Sequence, residues 1–100
     1  MFIINQTFNV EQEILNEWID WMKLVYIPEV MASGFFLQHK ILKVLSEDIM
    51  NGHTFAVQFL VSDPIFIEMA DENFINKYEV LTSKTFGDKV MFFRTLLEEI

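Results

Sequence analysis

Phe2, Ile4, Phe8 and Val10 alternate with Asn5, Thr7 and Asn9, a period of two that predicts a strand ending near Asn9. Asn9 is placed to cap the helix that follows, with Gln12 three positions on to complete a capping box. The period then becomes 3.6. Ile14, Leu15, Trp18, Ile19, Met22, Val25 and Tyr26 share one helical arc with Trp21 at its edge, while Glu13, Glu17, Asp20 and Lys23 form a solvated opposite face. Pro28 lacks an amide hydrogen and disfavours helical geometry at Ile27, so the helix bends or stops there and a short turn restarts with Pro28 at its beginning. Gly34 then releases the chain.

Phe35 to Leu45 and Thr54 to Val61 read as two strands, paired antiparallel through Ser46 to Gly52, where Asn51-Gly52 suits a hairpin. Asp63-Pro64 opens a second helix, aspartate as cap and proline in the first turn, with Ile67, Ala70, Phe74, Tyr78 and Leu81 as its buried stripe. Gly87-Asp88 closes that excursion, and Val90 to Leu97 forms a last strand. Strand, helix, strand, strand, helix, strand with no linker or repeat is the split βαβ, ferredoxin-like α+β plan in one domain spanning residues 1–100.

In that plan two helices cover one face of a four-stranded antiparallel sheet, and the apolar row Phe55, Val57, Phe59, Val61 matches them. The other face stays open. Alternation assigns to it Ile3, Asn5, Thr7, Leu37, His39, Ile41, Thr54, Ala56, Gln58, Leu60, Met91, Phe93 and Thr95. Apolar residues make up 52% of the chain, with 11 Phe, above the ordinary range of about 45–50%. A monomer seldom exposes an apolar patch of more than a few hundred Å², so a second copy is expected to close the open face. A homodimer is thus expected.

Charge narrows the partners. Seven Lys and Arg against 15 Asp and Glu give −8 at neutral pH, a field that repels nucleic acid and anionic lipid. RNA-binding modules of this plan stack bases on aromatic side chains of the open face, where the third strand here offers Thr54, Ala56, Gln58 and Leu60. No apolar run approaches the roughly 18 residues of a spanning helix. The absence of cysteine excludes disulfide and thiolate chemistry, and with no basic N-terminal leader the expected location is cytoplasmic.

Trp18, Trp21-Met22, Ile27-Pro28-Glu29-Val30-Met31, Gly34-Phe35 and the terminal Phe93-Arg94-Thr95-Leu96-Leu97-Glu98-Glu99 form a combination that resembles, over nearly the full length, a family of short uncharacterised bacterial proteins within the dimeric α+β barrel superfamily. The resemblance implies a ferredoxin-like fold, dimerisation through the open sheet faces and no established activity. Tyr26 stands where that family is expected to show a histidine, and a phenol with a reference pKa near ~10 is a poor base at neutral pH. Related barrels include cofactor-independent monooxygenases, isomerases, haem-degrading enzymes and small-molecule sensors, so the superfamily selects no reaction.

No phosphate loop, nucleophile motif or metal-ligand spacing is present, and no cofactor is implied. His39, between Leu37 and Ile41 on the expected open face, is the weak catalytic candidate; it can act as a base, orient a ligand or bridge a dimer interface. Asn5, Thr7, His39, Gln58, Phe93 and Thr95 are the candidate ligand-binding set, a few polar groups in an apolar surround. His53 is expected to be exposed. Trp18, Trp21, Met22 and Tyr26 read as core rather than as a pocket wall. Glu29 suits a surface helix or a pocket mouth, and Arg94, the only arginine, suits a salt bridge with Glu98 or Glu99 or a ligand carboxylate. Three functional classes follow: a homodimer binding a small apolar or aromatic molecule between its sheets, a cofactor-independent monooxygenase or isomerase, and a structural or regulatory dimer with a filled interior.

Overall fold

The computed structural model describes residues 1–45, 52–70 and 75–100. The Asn51 half of the hairpin signal and Phe74 of the second helical stripe lie outside the described residues. Strands β1 (Phe2–Val10), β2 (Gln38–Lys43), β3 (His53–Val61) and β4 (Val90–Glu98) form one sheet in the order β2-β3-β1-β4, all neighbours antiparallel. Helical segments between β1 and β2 and between β3 and β4 pack on one side, so the fold is the ferredoxin-like βαββαβ.

The alternation of β1 and β3 is obeyed residue by residue. Ile4, Phe8 and Val10 are buried opposite Phe59, Phe55 and His53, and the row Phe55, Val57, Phe59, Val61 faces the helices. Phe8 lies 5.3 Å from Trp18, 6.2 Å from Tyr26 and 5.6 Å from Phe92 between ring centroids, and Trp18 lies 5.0 Å from Phe55. Trp18 and Tyr26 are fully buried and belong to this aromatic core, with Trp21 packed at its margin.

The first helical excursion starts differently from expectation. Asn9 is part of β1 and its amide donates across the sheet to Thr54 Oγ1 at 3.2 Å, so it caps nothing; the short turn Gln12–Ile14 begins from Glu11 without a side-chain cap. The pull of a neighbouring strand outcompeted the local capping box. After α1 (Leu15–Trp21) the helix widens into a π-helical turn at Met22–Tyr26, then narrows again into α2 (Ile27–Ala32) with Pro28 in its first turn. Ile27 donates to the Met22 carbonyl five residues back. Pro28 has no proton to give and its ring pushes on the carbonyl four residues earlier, which is relieved by opening the turn. The widening has a packing consequence. Trp18, Met22, Tyr26 and Val30 are all fully buried at a strict spacing of four, which overshoots a 3.6-residue turn unless a wider turn absorbs the excess.

In the second excursion Asp63 Oδ1 accepts from the Ile65 amide at 3.0 Å, capping α3 (Ile65–Ala70) as its sequence implied. α4 (Asn76–Phe86) buries Tyr78 and Thr82, whose hydroxyl returns to the Tyr78 carbonyl at 2.8 Å. Gly87, at φ +62°, ends α4 in a left-handed conformation that favours glycine. Gly52 answers a different need: a Cβ there would stand 2.6 Å from the Val10 carbonyl oxygen. No helix among the described residues is long and apolar enough to cross a membrane.

Candidate functional site

Nothing in the described chain covers the second face of the sheet. Along its centre β1 and β3 present Asn5 opposite Gln58, Thr7 opposite Ala56 and Asn9 opposite Thr54, while β4 adds Thr95, Phe93 and Met91 beside Asn5, Thr7 and Asn9. The polar members are tied together: Gln58 Nε2 donates to Asn5 Oδ1 at 3.2 Å, Asn5 Nδ2 to Thr7 Oγ1 at 3.3 Å, and Asn9 Nδ2 to Thr54 Oγ1. The apolar bank is wet, with Met91 64% and Phe93 63% exposed. Between ladder and bank lies an open hollow of about 240 Å³ lined by Thr7, Asn9, Thr54, Met91, Phe92 and Phe93. A smaller one of about 90 Å³ sits between Ile3, Leu60, Gln58, Lys40 and Glu99, with His39 touching it from the edge strand.

Asn5, Thr7, Gln58, Phe93 and Thr95 of the candidate set therefore share this face, and His39 does not. β2 starts at Gln38, three residues later than expected, after a bend at Leu37, and His39 pairs with Phe59 while Gln38 and Lys40 pair with Leu60 and Gln58. Residues directly opposite in an antiparallel pair point to the same side, so His39 and Ile41 belong to the helix-facing row, and Gln38, Lys40 and Leu42 belong to the open face. The bend reverses the parity that runs through Phe36 and Leu37, and a one-residue shift flips every side chain beyond it. Leu37, in turn, precedes the strand.

Two further placements correct the sequence reading. His53 opens β3 and is half-buried rather than exposed, its Nε2 in a short contact with Gln12 Oε1. Arg94 pairs with neither Glu98 nor Glu99. Its parity turns it toward α4, where Nη2 donates to Glu79 Oε1 at 3.0 Å and to Asn76 Oδ1 at 3.1 Å. Glu98, four residues along an extended strand, lies roughly 13 Å away by rise alone.

Behind the sheet this pair continues into a buried polar chain. Gln6, fully buried between Ile4 and Phe8, donates from Nε2 to Glu79 Oε2 at 3.2 Å and accepts the Tyr26 hydroxyl at 2.9 Å. Burial pushes the Tyr26 phenol well above its ordinary range, only partly offset by Gln6, so Tyr26 stays a neutral donor. Burial also lifts the Glu79 carboxyl, and the Gln6 amide pulls back part of the rise. Tyr78 is pushed up to about 12, first by the Glu29 carboxylate near its hydroxyl and then by burial. Gln6 is not among the candidate residues, although a glutamine at an inward parity in an apolar row signals a buried partner. Neither hollow of the open face is lined by Gln6, Tyr26, Glu79 or Arg94, and no cluster of His, Asp or Glu among the described residues is arranged to hold a metal.

Residues 1–100 match the family model of DUF4286, a domain of unknown function. The chain belongs to that family. None of the curated proteins matches it. Among solved structures it is similar to an ethyl tert-butyl ether degradation (EthD) family protein from Bacillus halodurans, at 12% identity and a TM-score of 0.72, with 100% of each chain covered. It is also similar to two proteins from uncultured marine organisms described as dimeric ferredoxin-like proteins. One shares 10% identity at a TM-score of 0.71, covering 100% of this chain and 95% of that one; the other shares 14% at 0.62, covering 99% and 97%. At these identities the likeness is one of fold, and it agrees with the architecture described above.

Proposed function

We propose that two copies of this chain close over their uncovered sheet faces and that the enclosed space holds a small, largely apolar or aromatic molecule. The observation that carries this reading is the pairing of exposed Phe93 and Met91 with an uncharged polar ladder at the centre of the same face. Apolar side chains so exposed beside one another favour a partner surface, and the two structurally similar proteins described as dimeric support a second copy as that partner. An isologous interface brings each Phe93 row against the other sheet, where it walls a pocket whose polar points are Asn5, Thr7, Gln58 and Thr95. A cytosolic setting fits a chain without cysteine.

The oxygenase or isomerase alternative requires a base over the pocket. With His39 on the helix-facing row, Lys40 is the titratable side chain that β2 points to the open face, and its pairing position opposite Gln58 is at the sheet edge. Ligand binding without turnover is therefore the reading we adopt over catalysis, and over a filled structural dimer because two hollows remain on the face.

Light scattering coupled to gel filtration at micromolar concentration tests the assembly. The wild-type chain is expected at about twice its monomer mass, and Phe93→Lys at monomer mass with its far-ultraviolet dichroism intact. A monomeric wild type overturns the dimer. Thermal-shift screening with aromatic acids, aromatic amides, quinones and haem tests the pocket, because a ligand at 100 times its Kd stabilises by about 2.7 kcal/mol. A dimer that no member of the panel stabilises is the filled one.

A further inference from the structure

The larger hollow has a chemical preference of its own. Its polar wall is Thr7, Asn9 and Thr54, and its apolar wall includes Met91 and Phe93. Thr7 Oγ1 already accepts from Asn5 Nδ2, and Thr54 Oγ1 from Asn9 Nδ2. A hydroxyl that accepts keeps its own proton to donate. Two such hydroxyls therefore line one hollow, on adjacent strands and one step apart in register, since Thr7 stands opposite Ala56 and Asn9 opposite Thr54. The wall of the hollow holds no cation. Lys40 lines the other hollow, where Glu99 lies with it.

We infer that this hollow takes a neutral, flat carbonyl compound, its oxygen accepting from the Thr7 and Thr54 hydroxyls and its ring against Phe93 and Met91, and that it discriminates against the corresponding carboxylate. This rests on the dimer reading, because the second sheet is what withdraws the hollow from water. Once withdrawn, a carboxylate must surrender its hydration with no positive charge on this wall to replace it, whereas a neutral carbonyl needs only donors. Asn5 and Asn9 act as positioning residues: by donating to the threonine oxygens they leave those protons free to turn toward the hollow.

Calorimetric titration of the full chain with naphthamide and with naphthoate, equal in ring and nearly equal in size, tests the inference, with the mass of the protein checked by light scattering in the same buffer. The amide is expected to bind at least about tenfold more tightly than the acid at neutral pH. Thr54→Val and Thr7→Val are each expected to weaken the amide by about tenfold, the loss of one hydrogen bond, without changing the dimer mass. Naphthoate binding as tightly as naphthamide overturns the charge discrimination while leaving the ligand-binding dimer in place, and its abolition in Lys40→Ala would move the site to the smaller hollow. Amide affinity unmoved in both valine variants overturns the assignment of the donors. Failure of the dimer to bind either compound overturns the pocket together with its preference.

Discussion

Gln6→Leu removes one side chain from the middle of the buried chain Tyr26–Gln6–Glu79–Arg94 while keeping the core filled. The leucine fits an apolar row whose neighbours are Ile4 and Phe8, so the cost arises from the partners left behind rather than from a cavity. Tyr26 Oη, which donates to Gln6 at 2.9 Å, is stranded in a fully buried position. Glu79 loses its 3.2 Å donor but keeps Arg94 at 3.0 Å. A stranded buried donor costs about 1–3 kcal/mol, so about 2 kcal/mol is expected, with about 4–8 °C in Tm for each kcal/mol in a domain of this size. Tyr26→Phe alone strands the Gln6 carbonyl and is expected to cost about 1–2 kcal/mol. Combining the two removes both ends of the bond, so the double variant should be more stable than the sum of the singles by about 1 kcal/mol or more. Urea unfolding followed by the fluorescence of Trp18 and Trp21, at one fixed protein concentration, measures all four corners of the cycle. Additivity within about 0.3 kcal/mol would refute the claim that this bond is made and buried.

Two further outcomes concern the same framework. Because burial holds the Glu79 carboxyl above its ordinary range, the folded chain keeps that proton after the unfolded chain has lost it; stability relative to Glu79→Gln should therefore fall as pH rises from about 4.3 through the raised value. A difference in unfolding free energy that is flat over that window, or that rises with pH, would contradict the desolvated carboxyl. Gly52→Ala places a Cβ 2.6 Å from the Val10 carbonyl oxygen, a backbone atom that cannot swing away, and should cost about 1–3 kcal/mol; an unchanged melting temperature would show that the strand ends separate without penalty.

Much of the architecture is legible along the chain because it rests on local regularities. The alternation in Phe2–Val10 and the unbroken inner row of β3 place those strands and their faces, Asp63-Pro64 opens the second helical excursion, and Gly87 closes it. The polar members of the open face in β1 and β3 follow from the same parity. Gln38-His39-Lys40-Ile41-Leu42-Lys43 shows where this reasoning runs out: with little contrast between its two faces, nothing within the segment chooses a register, and a single bend at Leu37 moved His39 away from the proposed pocket.

Spacing and side-chain type, being properties of neighbours on the chain, were enough to determine the order of elements and most of the helix-facing core. Register, the π-helical turn before Pro28, the choice of Glu79 for Arg94 and the burial of Gln6 were decided only when distant segments met. The Gln6–Glu79 bond joins residues 73 positions apart. Such a bond exists only after β1 and α4 have packed together, and no local pattern in either carries its partner's address.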